Sequence, residues 1–353
     1  MTHLRLPIEA SNEEKLFSAI VGNPPYQRSS TASESVQNVF HESQELTLLI
    51  SDYSNLIYPA GRWIMRSGKG MREFGDELLN SPRLRSIRYF NARETLELFP
   101  GTLVRDGVGI VLTVPEDLGN NEAFELNGEH INRPGSELIS VDARITRIIQ
   151  NLRKDYPRSI RENILPRSYF GIESSFAELN PDKLVPVCED ICAPEHMSDP
   201  VKLFTNDKSG PTGRSRWFWI ERSEIPRGHE EINRWKVITR SGIQGHESKL
   251  DFLLAAPGTA IARSYVVVRS FASESEAQGF MSYLQTDFAK RLLRESIVGR
   301  LSALGAFLPD LSHVVNPFTG LLGWASSWSD DDLKDLFTNI LTASDWEYLI
   351  SSS

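Results

Sequence analysis

Cysteine is nearly absent: the 353-residue chain has two, Cys188 and Cys192. A disulfide framework is therefore excluded as its source of stability, and a reducing compartment fits. No run approaches the roughly 20 consecutive apolar residues that a membrane helix needs. Met1 to Glu14 holds no apolar stretch of the kind a secretory signal requires. These absences predict a cytoplasmic protein that does not span a membrane. Internal repeats with periods of about 20 to 50 residues are missing too, and low complexity is confined to a short Ser-rich loop over Ser29 to Val36.

What is present is the composition of an ordinary globule, with 40% hydrophobic, 24% charged and 9% aromatic residues. At this length two cores are expected, because single cores stop growing near about 250 to 300 residues. The net charge of −9 argues against indiscriminate polyanion binding, but a nucleic-acid enzyme needs only a local basic surface.

Leu16 to Val21 is a short apolar run stopped by Gly22 and two prolines, the pattern of a buried strand entering a rigid loop. Apolar positions at helical spacing predict a helix over Val39 to Tyr53, and Asn55 to Tyr58 a strand ended by Pro59. Gly70 to Leu79 reads as a helix, and Leu84 to Phe90 and Val108 to Val114 as strands. This alternation predicts an α/β sheet. Glu116 to Glu137 is rich in Glu, Asn and Gly and reads as a linker or long loop. The resulting division is a first domain over 1–118, a linker over 119–138 and a second, mixed α+β domain over 139–353.

In that second part Val141 to Lys154 has helical periodicity. The stretch to Arg167 is the densest basic segment of the chain, with Arg144, Arg147, Arg153 and Lys154 in its first half. Its arginine forks suit phosphate, and they equally suit a solvated helix face. Trp217 to Ile220, Trp235 to Thr239 and Ser264 to Arg269 read as strands, and Glu274 to Leu293 as one helix behind Ser273. Asp330 to Asp332 read as a helix N-terminus, where the dipole favours acids.

The chemistry-bearing segment is Asn23-Pro24-Pro25-Tyr26. An exocyclic adenine amine is a poor nucleophile because its lone pair is delocalised into the ring. Acceptors on its two N–H groups favour the tetrahedral nitrogen that attacks a methyl donor. The Asn23 side-chain oxygen can be one acceptor and the Pro24 carbonyl the other, held in direction by Pro25. Tyr26 offers a face on which an extruded base can stack. Taken alone, four residues also make a Pro-Pro turn with an incidental Asn.

The segments IVGNPPYQ, LIYPAGRW, GKGMREFGDELLNSPRL and LFPGTLVRDGVGIVL, in that order, resemble the adenine-specific (N6) DNA methyltransferases of type II restriction-modification systems. The resemblance continues through PRSYFGIESSF and SYLQTDFAKRLL to WSDDDLKDLF. It implies a partial Rossmann-like methyltransferase sheet followed by a DNA target-recognition domain. It also implies S-adenosylmethionine as methyl donor and double-stranded DNA as substrate. Carried over residue by residue, Asn23 and Pro24 clamp the adenine, Tyr26 stacks on it, Pro25 is scaffold, and Gly22 lets the backbone lie near the donor methyl. Arg62 and Lys69 join Arg144, Arg147, Arg153 and Lys154 as candidate DNA contacts, and Trp63 would line the cleft beside Arg62.

One departure is plain. Members with this motif order place a glycine-rich donor-binding loop well upstream of the clamp, and no such loop fits in the 22 residues before Asn23. Asn316-Pro317-Phe318-Thr319-Gly320 looks superficially like the donor segment of permuted relatives. Its flanks, Leu321-Leu322-Gly323-Trp324, do not suit that role, and a loop is expected. The simplest expectation is a chain that carries clamp and recognition region while a second polypeptide carries the donor-binding half. A non-catalytic DNA-binding subunit or inactive remnant, and methylation of a protein or RNA amine or amide, stand as alternatives. Cys188, Cys192 and His196 could share a helical face, but Pro194 interrupts it and a fourth ligand is not apparent, so no metal is expected. Glu247-Ser248-Lys249 is a fragment of a nuclease pattern without the further acid that cleavage would need.

Overall fold

A computed structural model describes residues 15–29, 36–67, 70–101, 104–188, 193–206, 215–241, 250–297 and 303–351. The chain divides into two compact units, Met1–Glu137 and Leu138–Ser353, and its architecture is mixed α/β.

The first unit begins with β1 (Phe17–Gly22), the hairpin β2 (Gln27–Ser29) and β3 (Val36–Asn38), and α1 (Phe40–Ile50). There follow β4 (Ser51–Pro59), α2 (Gly61–Ile64), α3 (Met71–Asn80), β5 (Leu84–Phe90), α4 (Ala92–Leu98) and β6 (Val108–Thr113). β7 (Ala123–Leu126) and β8 (Glu129–Asn132) close the unit. Six strands form one sheet in the order β1-β4-β6-β5-β7-β8. β1 runs parallel to β4, and β6 is inserted antiparallel to both β4 and β5. A core of Phe40, Tyr58, Trp63 and Phe74 joins α1, β4, α2 and α3, with Phe40 stacked on Tyr58 at 5.2 Å. Such aromatic pairs add about 0.5 to 1.5 kcal/mol beyond the area they bury.

The helix expected over Val39 to Tyr53 stops earlier, at Ile50, and runs straight into β4. The expected linker over 119–138 is corrected more substantially, since it contains β7 and β8, which extend the sheet beside β5. The signal was Asn127-Gly128, both at positive φ, between the buried Phe124 and Leu126 on one side and Ile131 on the other. An Asn-Gly pair between alternating apolar residues is the strongest short hairpin signal. The loop reading weighed composition over alternation.

The second unit holds α5 (Ala143–Asp155), α6 (Phe176–Leu179), β9 (Val185–Pro186), β10 (Pro200–Asn206), β11 (Ser215–Glu221) and α7 (His229–Ile232). β12 (Trp235–Arg240), β13 (Phe252–Ala255), β14 (Thr259–Ile261) and β15 (Tyr265–Phe271) follow. The chain then runs through α8 (Glu274–Gln285), α9 (Asp287–Glu295), α10 (Asp330–Leu336) and α11 (Ala343–Ile350). One sheet is ordered β14-β10-β11-β9 and another β13-β12-β15. Ile145, Ile148, Ile149 and Leu152 of α5 are buried at helical spacing, and Phe288 of α9 stacks on Phe337 and Trp346 at 5.2 and 5.7 Å.

The single helix expected over Glu274 to Leu293 is two. Thr286 is extended, its hydroxyl accepts from Ala289 N, and the Asp330 carboxylate accepts from Asp287 N at 2.9 Å and Phe288 N at 3.0 Å. A capping threonine and a distant acid satisfy the new N-terminus, so the break needs neither glycine nor proline. Asp330 to Asp332 do open α10, behind the Ser329 cap. Among the described residues no helix is long and apolar enough to cross a membrane.

Candidate active site

β1 delivers Asn23-Pro24-Pro25-Tyr26 at its carboxyl end, and the chain then turns into the β2–β3 hairpin, where Gln27 is level with Asn38. Val39 N donates to Tyr26 O at 3.1 Å, which fixes the return of the loop to the start of α1. Asn23 and Pro25 are exposed, while Pro24 and Tyr26 are half-buried. The Tyr26 hydroxyl is pushed above its ordinary value by burial, an effect opposed by a hydrogen bond with the Asn23 side chain. The Asn23 side chain and the Tyr26 ring are thus neighbours, and the asparagine is exposed.

Tyr26 opens onto a cavity of about 360 Å³, lined by Tyr26, Gln27 and Asn38 on one side, Phe40, Pro59 and Met71 at its apolar wall, and Arg62, Arg105 and Asp106 elsewhere. That is within the roughly 300 to 1,000 Å³ of ligand pockets, and mixed apolar walls with few polar groups are their usual lining. Two backbone features hold the Arg105–Asp106 loop there. Gly61 N donates to Asp106 O at 2.9 Å and Ala60 N to Gly107 O at 3.2 Å. Gly107 has φ +66, and a Cβ on it would meet Phe90 O at 2.3 Å; one on Gly61 would meet Asp106 O at 2.5 Å. Arg62 is ion-paired with Asp106 at 3.0 Å, and Arg105 adds a second cation to the lining.

Gln27, Asn38, Phe40, Arg105 and Asp106 were not singled out from the sequence. The segment LFPGTLVRDGVGIVL carried the loop, but nothing local tells which of its residues turns towards the clamp. Trp63, expected beside Arg62 in the cleft, is instead fully buried in the core, with Nε1 donating to Pro59 O at 3.0 Å.

The four basic residues of α5 expected at DNA have intrachain partners. Arg144 donates to Asp345 Oδ1 at 3.2 Å and Ser344 Oγ at 2.6 Å and lies over the Tyr348 ring at 4.5 Å. Arg147 donates to the same Asp345 oxygen at 3.1 Å. Arg153 donates to the Leu138 and Ala306 carbonyls, and exposed Lys154 to Asn151 Oδ1. These arginines therefore fasten α11 and the Ala306 turn to α5, while Arg147 keeps two-fifths of its side chain exposed. Lys69 lies outside the described residues, as do Cys192 and Glu247-Ser248-Lys249.

Gly22, at the end of β1, faces open space, with no atom of the described residues within 4 Å of where a Cβ would stand. The other strand parallel to it, β4, leads through Pro59 and Ala60 into α2 without a glycine-rich turn. Asn316 is fully buried; its Oδ1 accepts from Phe318 N and Thr319 N, and its Nδ2 donates to Ser327 O. The Asn316–Gly320 segment is a self-satisfied turn. The described residues do not fit S-adenosylmethionine. Among them no group of three His, Cys, Asp or Glu side chains could hold a metal ion.

Residues 3–95 match the Eco57I restriction-modification methylase family. The matched Eco57I segment spans the clamp, α1 to α3 and β5, and so contains most of the cavity wall. No curated protein matches the chain. Among solved structures it is similar to the Type IIL restriction-modification enzyme MmeI in complex with DNA, at 10% identity and a TM-score of 0.36, covering 81% of this chain and 44% of that one. It is also similar to the type IIG restriction endonuclease BpuSI, at 10% identity and a TM-score of 0.33, covering 95% and 52%. The chain spans about half the length of these two proteins.

Proposed function

We propose that the first unit is the target-base half of an adenine-specific (N6) DNA methyltransferase of a restriction-modification system, and that the second unit is its DNA target-recognition domain. One observation carries this reading: Asn23 and Tyr26 meet at the carboxyl end of a parallel strand, and Tyr26 lines a cavity of about 360 Å³. The family match over residues 3–95 supports it.

Within duplex DNA the amine is inaccessible, so the adenine is flipped out at a cost of a few kcal/mol. Tyr26 gives its ring a stacking surface. The Asn23 oxygen and the Pro24 carbonyl accept from the two amine hydrogens, which draws the nitrogen lone pair out of conjugation. Phe40, Pro59 and Met71 exclude water from one side. S-adenosylmethionine supplies the electrophilic methyl group and is held outside these residues. Arg62, Lys69, Arg147 and Lys154 are the proposed phosphate contacts, with Arg144 and Arg153 positioning α5.

The test is methyl transfer from labelled S-adenosylmethionine to adenine-containing duplexes by the chain combined with the polypeptide encoded immediately upstream. Incorporation lost in Asn23→Ala with the fold retained is expected. A second reading, a DNA-binding subunit without turnover, is favoured by the lack of a donor fit among the described residues. It predicts DNA binding and no methylation by any combination.

A further inference from the structure

Two acceptors, the Asn23 oxygen and the Pro24 carbonyl, can tell an exocyclic amine from a carbonyl and nothing more. Cytosine offers such an amine as adenine does. Beside its amine adenine adds the ring nitrogen N7, an acceptor that cytosine lacks. Choosing between the two bases therefore takes a hydrogen-bond donor that reaches the ring.

The cavity that Tyr26 lines has such donors. Gln27 and Asn38 are level with each other across β2 and β3, and residues so paired project from one face with Cβ atoms about 4.5 to 5.5 Å apart. Both line the cavity. Gln27 is exposed and Asn38 half-buried, and among the described residues neither amide has a side-chain hydrogen-bond partner. An amide out of bulk water is costly to leave unpaired, so Asn38 is suited to a ligand or a bound water. The rest of the lining fits the other parts of a nucleotide. Phe40, Pro59 and Met71 form an apolar wall and Tyr26 adds its ring. Arg62 and Arg105 stand against the one acid of the lining, Asp106, which Arg62 engages through Nε. The lining thus carries one net positive charge, and Arg105 has no ion pair among the described residues. A flat heterocycle with an accepting edge and one negative charge is what a nucleotide within a DNA strand presents.

We infer, on the basis of the methyltransferase reading, that the Gln27–Asn38 pair selects adenine over cytosine by donating an amide N–H to N7 of the base resting on Tyr26. Asparagine and glutamine amides are suited to the amine-and-N7 edge of adenine. With cytosine in its place the amide faces carbon and stays unpaired. A site that leaves its own polar groups unpaired with the wrong substrate rejects it far more strongly than one that merely loses apolar contact. Tyr26 ties the amide pair to the clamp. Its carbonyl accepts from Val39 N at 3.1 Å, beside Asn38, its own chain neighbour is Gln27, and its hydroxyl is hydrogen-bonded with the Asn23 side chain. One residue therefore holds the groups that accept from the amine and those that donate to the ring in a common frame.

The test uses the full chain and duplexes of random flanking sequence in which the target nucleotide faces an abasic site, so that its extrusion costs little. The target is adenine, 7-deazaadenine or cytosine, and binding is read by fluorescence anisotropy for the wild type, Gln27→Ala, Asn38→Ala, Asn38→Asp and Asn23→Ala. The wild type should bind the adenine duplex at least tenfold more tightly than either of the others. That preference should fall below threefold in at least one alanine variant and in Asn38→Asp, which keeps the shape of the side chain and removes its donors. Asn23→Ala should weaken the adenine and cytosine duplexes alike. Weakening by Asn23→Ala with an unchanged adenine preference in all three amide variants would overturn the amide assignment and leave the clamp. Equal binding of adenine and 7-deazaadenine by the wild type would overturn it too. An adenine preference that depends on the amides, without methyl transfer in any combination, would leave the base pocket intact and remove the methyltransferase reading. Binding indifferent to all four variants would overturn both.

Discussion

The Nε of Arg62 lies 3.1 Å from Oδ1 and 3.0 Å from Oδ2 of Asp106, so a cation and an acid that line one cavity hold each other. The Arg62 side chain is half exposed, and such pairs contribute about 0 to 1 kcal/mol. Asp106→Asn should therefore leave thermal stability nearly unchanged. With Arg62→Ala, which removes the proposed phosphate contact, the salt dependence of DNA binding, as log K against log salt, should become shallower by about one unit. An unchanged slope would remove Arg62 from the DNA contacts.

For the clamp, Asn23→Ala should lower kcat for methyl transfer by about 10²- to 10³-fold, the usual loss of one preorganised hydrogen-bond partner. Asn23 is exposed, so stability should stay within about 0.5 kcal/mol. Tyr26→Phe should keep most activity and Tyr26→Ala should lose it, because stacking uses the ring. Emission from 2-aminopurine at the target position reports whether the base still leaves the helix.

Gly107→Ala forces a Cβ against the Phe90 carbonyl at positive φ. A loss of about 1 to 3 kcal/mol is expected, measurable by urea denaturation. The Arg105–Asp106 loop should shift, so KM for DNA should rise more than kcat falls.

Much of this architecture was legible where period and punctuation agree. β1, β5 and β6 fall within a residue or two of the runs Leu16 to Val21, Leu84 to Phe90 and Val108 to Val114. α5 falls likewise within Val141 to Lys154, save for one residue. What escaped was decided at a distance. Asp330 breaks a helix more than 40 residues before it, and Asp345 takes two arginines of α5 that local spacing alone offered to DNA. In the candidate site, the position of the Asn-Pro-Pro-Tyr loop at a strand's end was readable because the apolar run and the prolines that stop it are local. Gln27, Asn38 and Arg105 were not, because the cavity is assembled from a hairpin, three helix starts and the β5–β6 connection. The β7–β8 hairpin is a different failure, since Asn127-Gly128 announced it.

Arg83 is a clip between strands and helix. Its Nε donates to Val114 O at 2.9 Å, its Nη2 to Ser51 O at 2.8 Å and Asp52 O at 2.7 Å, and its Nη1 to Leu48 O. Burial lowers its affinity for the proton. Arg83→Met would strand carbonyls of α1, β4 and the end of β6, and about 2 to 4 kcal/mol of unfolding free energy should go. Arg83→Lys, lacking the fork, should recover only part of it.

Lys236 sits with no exposed surface in β12 and donates to the carbonyls of Glu231, Ile232 and Arg234 at 2.9, 3.1 and 2.7 Å. Burial pushes its ammonium down to about 7 from 10.5. Between those values the unfolded chain binds the extra proton, so its contribution to stability is full above pH 10.5 and declines as pH falls towards 7. The urea midpoint of the second unit should rise across that window relative to Lys236→Met. Parallel curves for the two proteins would show that the amine keeps its proton throughout.

The uncharged β1 edge also has a consequence for the amount of this protein a cell can hold. A strand that offers Leu16, Phe17 and Val21 to solvent is a template for any extended chain, including those still emerging from ribosomes. Copies whose β1 edge is left bare present themselves to chaperones and proteases, so making more of the chain shortens the lifetime of each copy.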